Sequence, residues 1–125
     1  MNIKTFEQAE RVSLDLVSSV GSLYKSMCYN DKKVIGEQIL RATISIGSNI
    51  SEGKGRGNYD EIRFFKIALG SCQESIFQVK CLNELDIIDE TFTLELFNKF
   101  SDLLNYIKTY ILYITKRIKS NGGLK

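Results

Sequence analysis

Hydrophobic residues recur at steps of three and four positions along most of the chain, which is the spacing of one face of an α-helix. The pattern predicts four long helices, at about residues 5–28, 32–53, 58–86 and 90–119. The fourth segment is the most regular. Its apolar face consists of Phe92, Leu96, Phe97, Phe100, Leu103, Leu104, Ile107, Ile111, Ile114 and Ile118.

Short polar segments separate the predicted helices. Thr5 with Gln8 three positions later is a capping-box pattern, and Asp31 and Asn58 are cap residues at the ends of two turns. Helices of about 20 to 28 residues span roughly 30–42 Å, and short loops favour neighbours that run in opposite directions. We therefore predict a single all-α domain over residues 1–125, folded as an antiparallel up-and-down four-helix bundle.

The third predicted helix is apolar on two faces. One face carries Ile62, Phe65, Leu69, Cys72, Ile76 and Val79, and the other carries Phe64, Ile67, Leu82 and Leu85. A helix in an isolated bundle needs only one buried side. The second face therefore predicts a subunit interface, and hence a homo-oligomer.

The composition excludes many activities. The 125 residues include no histidine, proline or tryptophan, so there is no imidazole base, no Ser-His or Cys-His pair and no histidine metal ligand. Three cysteines (Cys28, Cys72 and Cys81) occur without a C-x-x-C spacing, which predicts buried free thiols rather than a disulfide framework or a zinc site. We predict a cytoplasmic protein without enzymatic activity, cofactor, metal site or membrane span.

The glycine-rich segment from Gly53 to Gly57 contains Lys54 and Arg56 and precedes a helix start, where backbone N–H groups can hold an anion. Phosphate contact is one interpretation of this segment. The alternative is an ordinary turn between two helices, because neither a P-loop ending nor a preceding strand is present.

Basic residues concentrate near the C-terminus. Residues 103–125 carry five basic residues and no acidic one, within a chain whose net charge is +2. The candidate nucleic-acid contacts here are Lys108, Lys116, Arg117 and Lys119, interleaved with Tyr106, Tyr110 and Tyr113. The alternative is a solvated helix end whose cations favour the helix dipole.

Other polar residues have structural interpretations. The pairs Asp60-Glu61 and Asp89-Glu90 fall at predicted helix starts, where capping explains them. A polar stripe on the second helix (Arg41, Ser45, Asn49 and Glu52) is either a solvent face or a hydrogen-bonded network with Glu74 or Arg63 of the third helix.

Two blocks of sequence resemble the four helix bundle protein family, which is encoded in intervening sequences of bacterial large-subunit ribosomal RNA genes and elsewhere in bacterial genomes. Residues 41–56 resemble the family's R-A-x-x-S-I-x-x-N-I-A-E-G-x-x-R, matching at Arg41, Ala42, Ser45, Ile46, Asn49, Ile50, Glu52, Gly53 and Arg56. Residues 64–74 resemble its F-L-x-I-A-x-G-S-x-x-E, which includes Gly70, Ser71 and Glu74. The chain departs from the pattern at Ser51 and Gly47, where the family usually has alanine and often proline.

The resemblance implies a ring-shaped homopentamer with the signature residues at interfaces, and it implies no settled activity. A distant relative, the accessory protein of diversity-generating retroelements, is a basic pentamer that binds nucleic acid and a reverse transcriptase. By analogy we predict a homopentameric bundle that binds RNA or DNA through its basic surface. The alternative prediction is a protein-binding adaptor or scaffold with no nucleic-acid role.

Overall fold

The computed structural model describes residues 2–122, and these residues form four helices and no strand. The helices are α1 (Phe6–Ser26), α2 (Tyr29–Asp31, the π-helical turn Lys32–Gly36, and Glu37–Gly53), α3 (Asn58–Glu84) and α4 (Glu90–Ser120). The prediction of an all-α chain with four helices is confirmed. Met1 and residues 123–125 of the predicted domain lie outside the described residues.

Side chains cap the first and last helices. The Thr5 hydroxyl oxygen accepts a hydrogen bond from the Gln8 amide N–H at 3.1 Å, so the predicted start of α1 is confirmed. A carboxylate oxygen of Asp89 accepts one from the Phe92 amide at 2.8 Å at the start of α4. Each contact satisfies a backbone donor that has no partner within its helix.

The start of α2 differs from the prediction. Tyr29 to Asp31 are helical rather than a turn, and the N-cap is Cys28, whose sulfur accepts a hydrogen bond from the Asp31 amide at 3.4 Å. Cys28 is exposed, so the expectation that all three thiols are buried is wrong for this residue. The π-helical turn ends at Gly36, where an added Cβ would lie 2.8 Å from the Met27 sulfur. This close approach packs the start of α2 against the end of α1.

The start of α3 also differs. Gly57, with φ 88°, is the N-cap residue, and Asn58 follows with φ 43°. The N-cap position expected for Asn58 is therefore occupied by Gly57, one residue earlier. A glycine tolerates this left-handed backbone more easily than other residues do, which places the turn before the predicted cap.

The buried side chains line the interior between four pairs of neighbouring helices: α1 with α2, α2 with α3, α3 with α4, and α4 with α1. The largest fully buried residues are Leu16, Val20, Ile39, Ile46, Ile50, Phe65, Leu82, Leu96, Phe100, Leu103, Ile107 and Ile114. The Cys72 thiol is buried among them and donates to the Phe100 carbonyl oxygen, with a sulfur–oxygen distance of 3.2 Å. Burial raises the pKa of this thiol to about 12.

The end of α2 lies very close to α3. A Cβ added at Gly53 would lie 2.8 Å from the Phe64 Cβ and 3.2 Å from the Phe65 ring. The nearest atoms belong to the rigid base of one side chain and to a buried ring, so neither can easily move away. Packing of α2 against α3 therefore requires glycine at this position.

We expect Gly53→Ala to lower the free energy of unfolding by about 1–3 kcal/mol, because the added methyl overpacks the α2–α3 contact. Gly21→Ala is the matched control. An added Cβ there meets nothing within 4 Å, so the substitution should stabilise α1 by up to about 1 kcal/mol. Urea denaturation at one protein concentration measures both changes. Equal stability of the two variants would contradict the steric explanation.

Candidate functional site

The loop between α2 and α3, residues 54–57, depends on glycine. Gly55 and Gly57 have φ values of 85° and 88°, in the left-handed region. These conformations let the chain pass from the end of α2 to the start of α3 while exposing Lys54 and Arg56. The predicted position of these two cations in an exposed loop is therefore correct.

Carboxylates of the same chain pair with both loop cations. The Lys54 ammonium lies 3.8 Å from a carboxylate oxygen of Glu7 and 3.8 Å from the centre of the Phe6 ring. The Arg56 guanidinium forms an ion pair with Glu52 and lies 3.8 Å from a carboxylate oxygen of Asp60. The loop therefore presents much less net positive charge than its sequence suggests, and phosphate contact by this loop stays a prediction.

The basic residues of α4 fall into two groups. Lys108, Lys116 and Lys119 are exposed and form no ion pair within residues 2–122. Arg117 differs, because its guanidinium donates a hydrogen bond of 3.1 Å to a buried carboxylate of α3. We refer to the three lysines as the basic end of α4. Arg117 is largely committed to an internal contact.

The carboxylate that Arg117 contacts belongs to Glu61, which is 4% exposed. The other oxygen of Glu61 accepts a hydrogen bond of 2.6 Å from the Tyr110 hydroxyl. Burial and this bond to Glu61 raise the pKa of Tyr110 above its ordinary value. Capping was expected to explain Glu61, and that expectation is wrong, because the side chain joins α3 to α4.

A signal for the position of Glu61 is present in the sequence. Glu61 precedes Phe65 by four residues and Cys72 by eleven, so it lies on the same face of α3 as these buried side chains. A carboxylate on a buried face requires partners. Acidic residues are also common in the first turn of a helix, and the sequence analysis preferred that explanation for Glu61.

The polar stripe of α2 contacts α3 through a pair of serine residues. The hydroxyl oxygens of Ser45 and Ser71 are 2.8 Å apart, and the Asn49 amide donates to the Ser45 carbonyl oxygen at 2.8 Å. Glu74 and Arg63, the partners considered from sequence, bond elsewhere: Glu74 accepts from Gln78 at 3.3 Å, and Arg63 pairs with Asp60 at 3.2 Å.

The remaining signature residues lie at the edges of this contact. Arg41 is exposed and borders the same groove as Glu74, and Glu52 binds Arg56. Gly53 lies against Phe64, whereas an added Cβ at Gly70 would meet nothing within 4 Å. Packing within one chain therefore explains the glycine at position 53 but not the one at position 70.

The outer side of α3 carries exposed apolar residues. Phe77 is 66% exposed, and Tyr59, Ile67 and Leu85 are also exposed. Tyr59, Ile67, Gly70 and Phe77 lie within about 80° of each other around the helix axis, and Leu85 follows the last residue of the helix. We call this set the α3 stripe (Tyr59, Ile67, Gly70, Phe77 and Leu85).

The predicted second face of α3 overlaps this stripe only in part. Ile67 and Leu85 are exposed as expected, but Leu82 is fully buried in the core, so its assignment to an outer face is wrong. The Phe64 ring lies beneath the guanidinium groups of Arg56 and Arg63, at 5.0 and 4.5 Å from its centre. Sequence analysis missed Phe77, although its spacing from Ile67 indicates the same side of the helix.

Two further observations concern possible metal sites and membrane-spanning helices. Within residues 2–122, no group of three or more cysteine, aspartate or glutamate side chains is arranged to hold a metal ion. In the same residues, no helix combines the length and apolar character needed to cross a membrane.

Residues 8–109 match the family model described as 23S rRNA-intervening sequence protein. No curated protein matches the chain. The fold is similar to the 1.70 Å crystal structure of a protein of unknown function from the S23 ribosomal protein family of Bacteroides thetaiotaomicron VPI-5482, with a TM-score of 0.77 and 25% sequence identity. That similarity covers 85% of this chain and 96% of the other chain. The family match includes the loop and the α3 stripe and ends before Lys116.

We expect Tyr110→Phe to lower the free energy of unfolding by about 1.5–3 kcal/mol, because it removes a hydrogen bond to a buried carboxylate. Tyr29→Phe is the control, since Tyr29 is exposed and its hydroxyl forms no hydrogen bond within the described residues. That control should change stability by no more than about 0.5 kcal/mol. Urea denaturation at one protein concentration compares the two. The assignment fails if both variants unfold at the wild-type midpoint.

Proposed function

The chain belongs to the 23S rRNA-intervening sequence protein family, and from that premise we propose that it is a non-enzymatic homo-oligomer that binds RNA. In this proposal the α3 stripe joins the subunits, and the basic end of α4 contacts the RNA backbone. The observation that carries the proposal is that one small chain exposes both an apolar surface, the α3 stripe, and a basic surface, the basic end of α4.

The α3 stripe supports assembly. Exposed apolar residues that form a contiguous face on a soluble domain are typical of a protein interaction site. Phe77 would fill a pocket on the neighbouring subunit, and Gly70 would let the two backbones approach closely. The number of subunits, five in a ring, comes from the family resemblance.

We propose an up-and-down order of the helices within each subunit. Contacts between α3 and α4 support it, because Glu61 near the start of α3 bonds Arg117 near the end of α4, and Cys72 bonds Phe100. Contacts between α2 and α3 agree, because Ser45 bonds Ser71 and Gly53 meets Phe64.

Lys108, Lys116 and Lys119 support RNA binding. Their charges are exposed and not offset by ion pairs within the described residues, so phosphate groups can pair with them and release bound counterions. Lys54 and Arg56 would contribute less, since a phosphate must compete with Glu7, Glu52 and Asp60 for them.

A second candidate function is that of a protein-binding adaptor. The pairing of the loop cations with carboxylates favours it, because it leaves apolar rather than basic groups as the more prominent surface. In that case the α3 stripe would hold a different protein instead of a second copy. Purification with and without nuclease treatment separates the two functions, because only the RNA-binding protein loses its partner.

We also propose a cytoplasmic location. The three free thiols, one of them exposed, suit a reducing compartment.

Phe77→Lys should dissociate the proposed assembly into single chains, because it introduces a charge into the centre of an apolar contact. Phe77 is exposed in the single chain, so its fold should not change. Light scattering coupled to gel filtration measures the mass. Leu94→Lys is the control, since Leu94 is similarly exposed, at 60%, on α4 and outside the α3 stripe. A wild-type protein that elutes as a single chain would contradict the assembly itself.

Reversing charge at the basic end of α4, with Lys116→Glu and Lys119→Glu together, should weaken RNA binding. The dependence of log K on log salt concentration should become shallower by about one unit for each lysine that contacts a phosphate. The control is Lys32→Glu with Lys33→Glu on α2, which changes the net charge equally at another surface. Fluorescence anisotropy with a labelled RNA measures both. An equal loss in the two double variants would indicate a general charge effect and contradict the site.

A further inference from the structure

Three tyrosines of α4 form a continuous aromatic surface. The ring centres of Tyr106 and Tyr110 are 6.0 Å apart, and those of Tyr110 and Tyr113 are 5.9 Å apart. Tyr110 also stacks on the buried Phe65 ring at 4.5 Å. Tyr110 is therefore held from both ends, by Phe65 at its ring and by Glu61 at its hydroxyl. This anchoring gives the aromatic surface a fixed shape.

The N-terminal segment turns this surface into a groove. Asn2, Ile3 and Lys4 form one wall, and the other wall consists of Asn105, Tyr106, Thr109, Tyr110 and Tyr113. The volume is about 530 Å³, which falls within the range of roughly 300–1,000 Å³ typical of pockets for small organic groups. Tyr113 is 56% exposed at the rim, so part of its ring surface remains available. We call this the tyrosine groove.

The polar groups of the groove can form hydrogen bonds with the edge of a planar ligand. The side chains of Asn105 and Thr109 form no hydrogen bond within the described residues, although both line the groove. An amide offers donors and an acceptor, and a hydroxyl offers both as well. These are the groups that bond the edges of unpaired nucleobases.

The charge around the groove favours an anion at one end. Lys4 lies in its wall, and Lys116 follows Tyr113 by one turn on the same side of α4. Asp102 lies one turn before Tyr106, and burial and the carboxylates of Glu7 and Glu61 raise the pKa of Tyr106, so the end of the groove near Tyr106 disfavours an anion. A phosphate would therefore sit towards Lys116, and an attached base would reach back to the tyrosines.

From this geometry we propose that the tyrosine groove binds an unpaired nucleobase of single-stranded RNA by stacking on Tyr113. The inference rests on the proposed RNA-binding function and deepens it, because the basic end of α4 alone would hold single strands and duplexes alike. A base within a duplex is already stacked on its neighbours and cannot enter the groove. Selectivity for single strands is therefore the property that the groove adds.

The test measures binding of labelled oligouridine of about 12 nucleotides, and of a duplex RNA of the same length, by fluorescence anisotropy. Tyr113→Leu should weaken oligouridine binding by about fivefold or more and leave duplex binding nearly unchanged. Tyr113→Phe, which restores the ring, should recover most of the lost affinity. Tyr29→Leu is the control, because Tyr29 is an exposed tyrosine far from the groove in sequence and outside its lining.

Ultraviolet crosslinking gives a second readout that does not depend on affinity. Trypsin cleaves after Lys108 and Lys116, so the expected crosslinked peptide spans residues 109–116 and contains both Tyr110 and Tyr113. Crosslinking confined to other peptides would overturn the inference.

The outcomes separate the groove from the broader function. If Tyr113→Leu binds oligouridine as well as wild type while the Lys116 and Lys119 reversals weaken it, the groove is wrong and RNA binding stands. If the wild-type protein binds neither RNA, both proposals are wrong. If Tyr113→Leu lowers the mass of the assembly, the groove is a subunit contact and the inference is also overturned.

Discussion

The buried carboxylate of Glu61 constrains much of this structure. A charge removed from water is costly unless it is paired and hydrogen-bonded, and here Arg117 and Tyr110 meet that requirement. Both partners belong to α4, so the start of α3 determines how the last turns of α4 are oriented. The orientation of Tyr110 in turn fixes the aromatic surface beside it, and the use of Arg117 removes one cation from the basic surface of α4.

Cations on the surface also pair with carboxylates where these are within reach. Cations near the loop have carboxylates within reach and pair with them, as Arg56 does with Glu52. All charged residues in the last part of α4 are basic, so Lys116 and Lys119 have no neighbouring acid along their helix. Local composition therefore explains why Lys116 and Lys119 are unpaired along their helix, whereas Lys54 and Arg117 pair with carboxylates that are distant in sequence. The glycine loop carries only basic charges when it is considered alone. Together with the carboxylates that pair with its cations, it is nearly neutral.

Much of the fold could be predicted from sequence, because hydrophobic spacing reports which side of a helix is buried. The apolar face of α4 was predicted almost completely for this reason. The π-helical turn ending at Gly36 could not be, since it depends on contact with Tyr24 and Met27 of another helix. Leu82 was assigned to the wrong face because α3 has neighbours on two sides, and periodicity alone does not identify which neighbour covers a residue.

The candidate site was less predictable, because its features are pairings between distant segments. Lysines and tyrosines near the C-terminus were identified by type and spacing. Sequence did not indicate that Arg117 would bind Glu61, 56 residues earlier, nor that residues 2–4 would line a groove with α4. Such contacts depend on how the helices are arranged, which the spacing of residues within one helix does not specify.

Assembly and RNA binding reinforce each other on physical grounds. A single chain carries a net charge of only +2, which is weak for holding a polyanion. Joining copies through the α3 stripe, as proposed, would multiply the basic surfaces on one particle. Once one site is bound, the next binds the same strand at a high effective concentration, so modest individual affinities add to a strong overall one. In the proposed function, a weakly basic chain therefore suits RNA binding only as part of an oligomer, and the α3 stripe would be required for that binding.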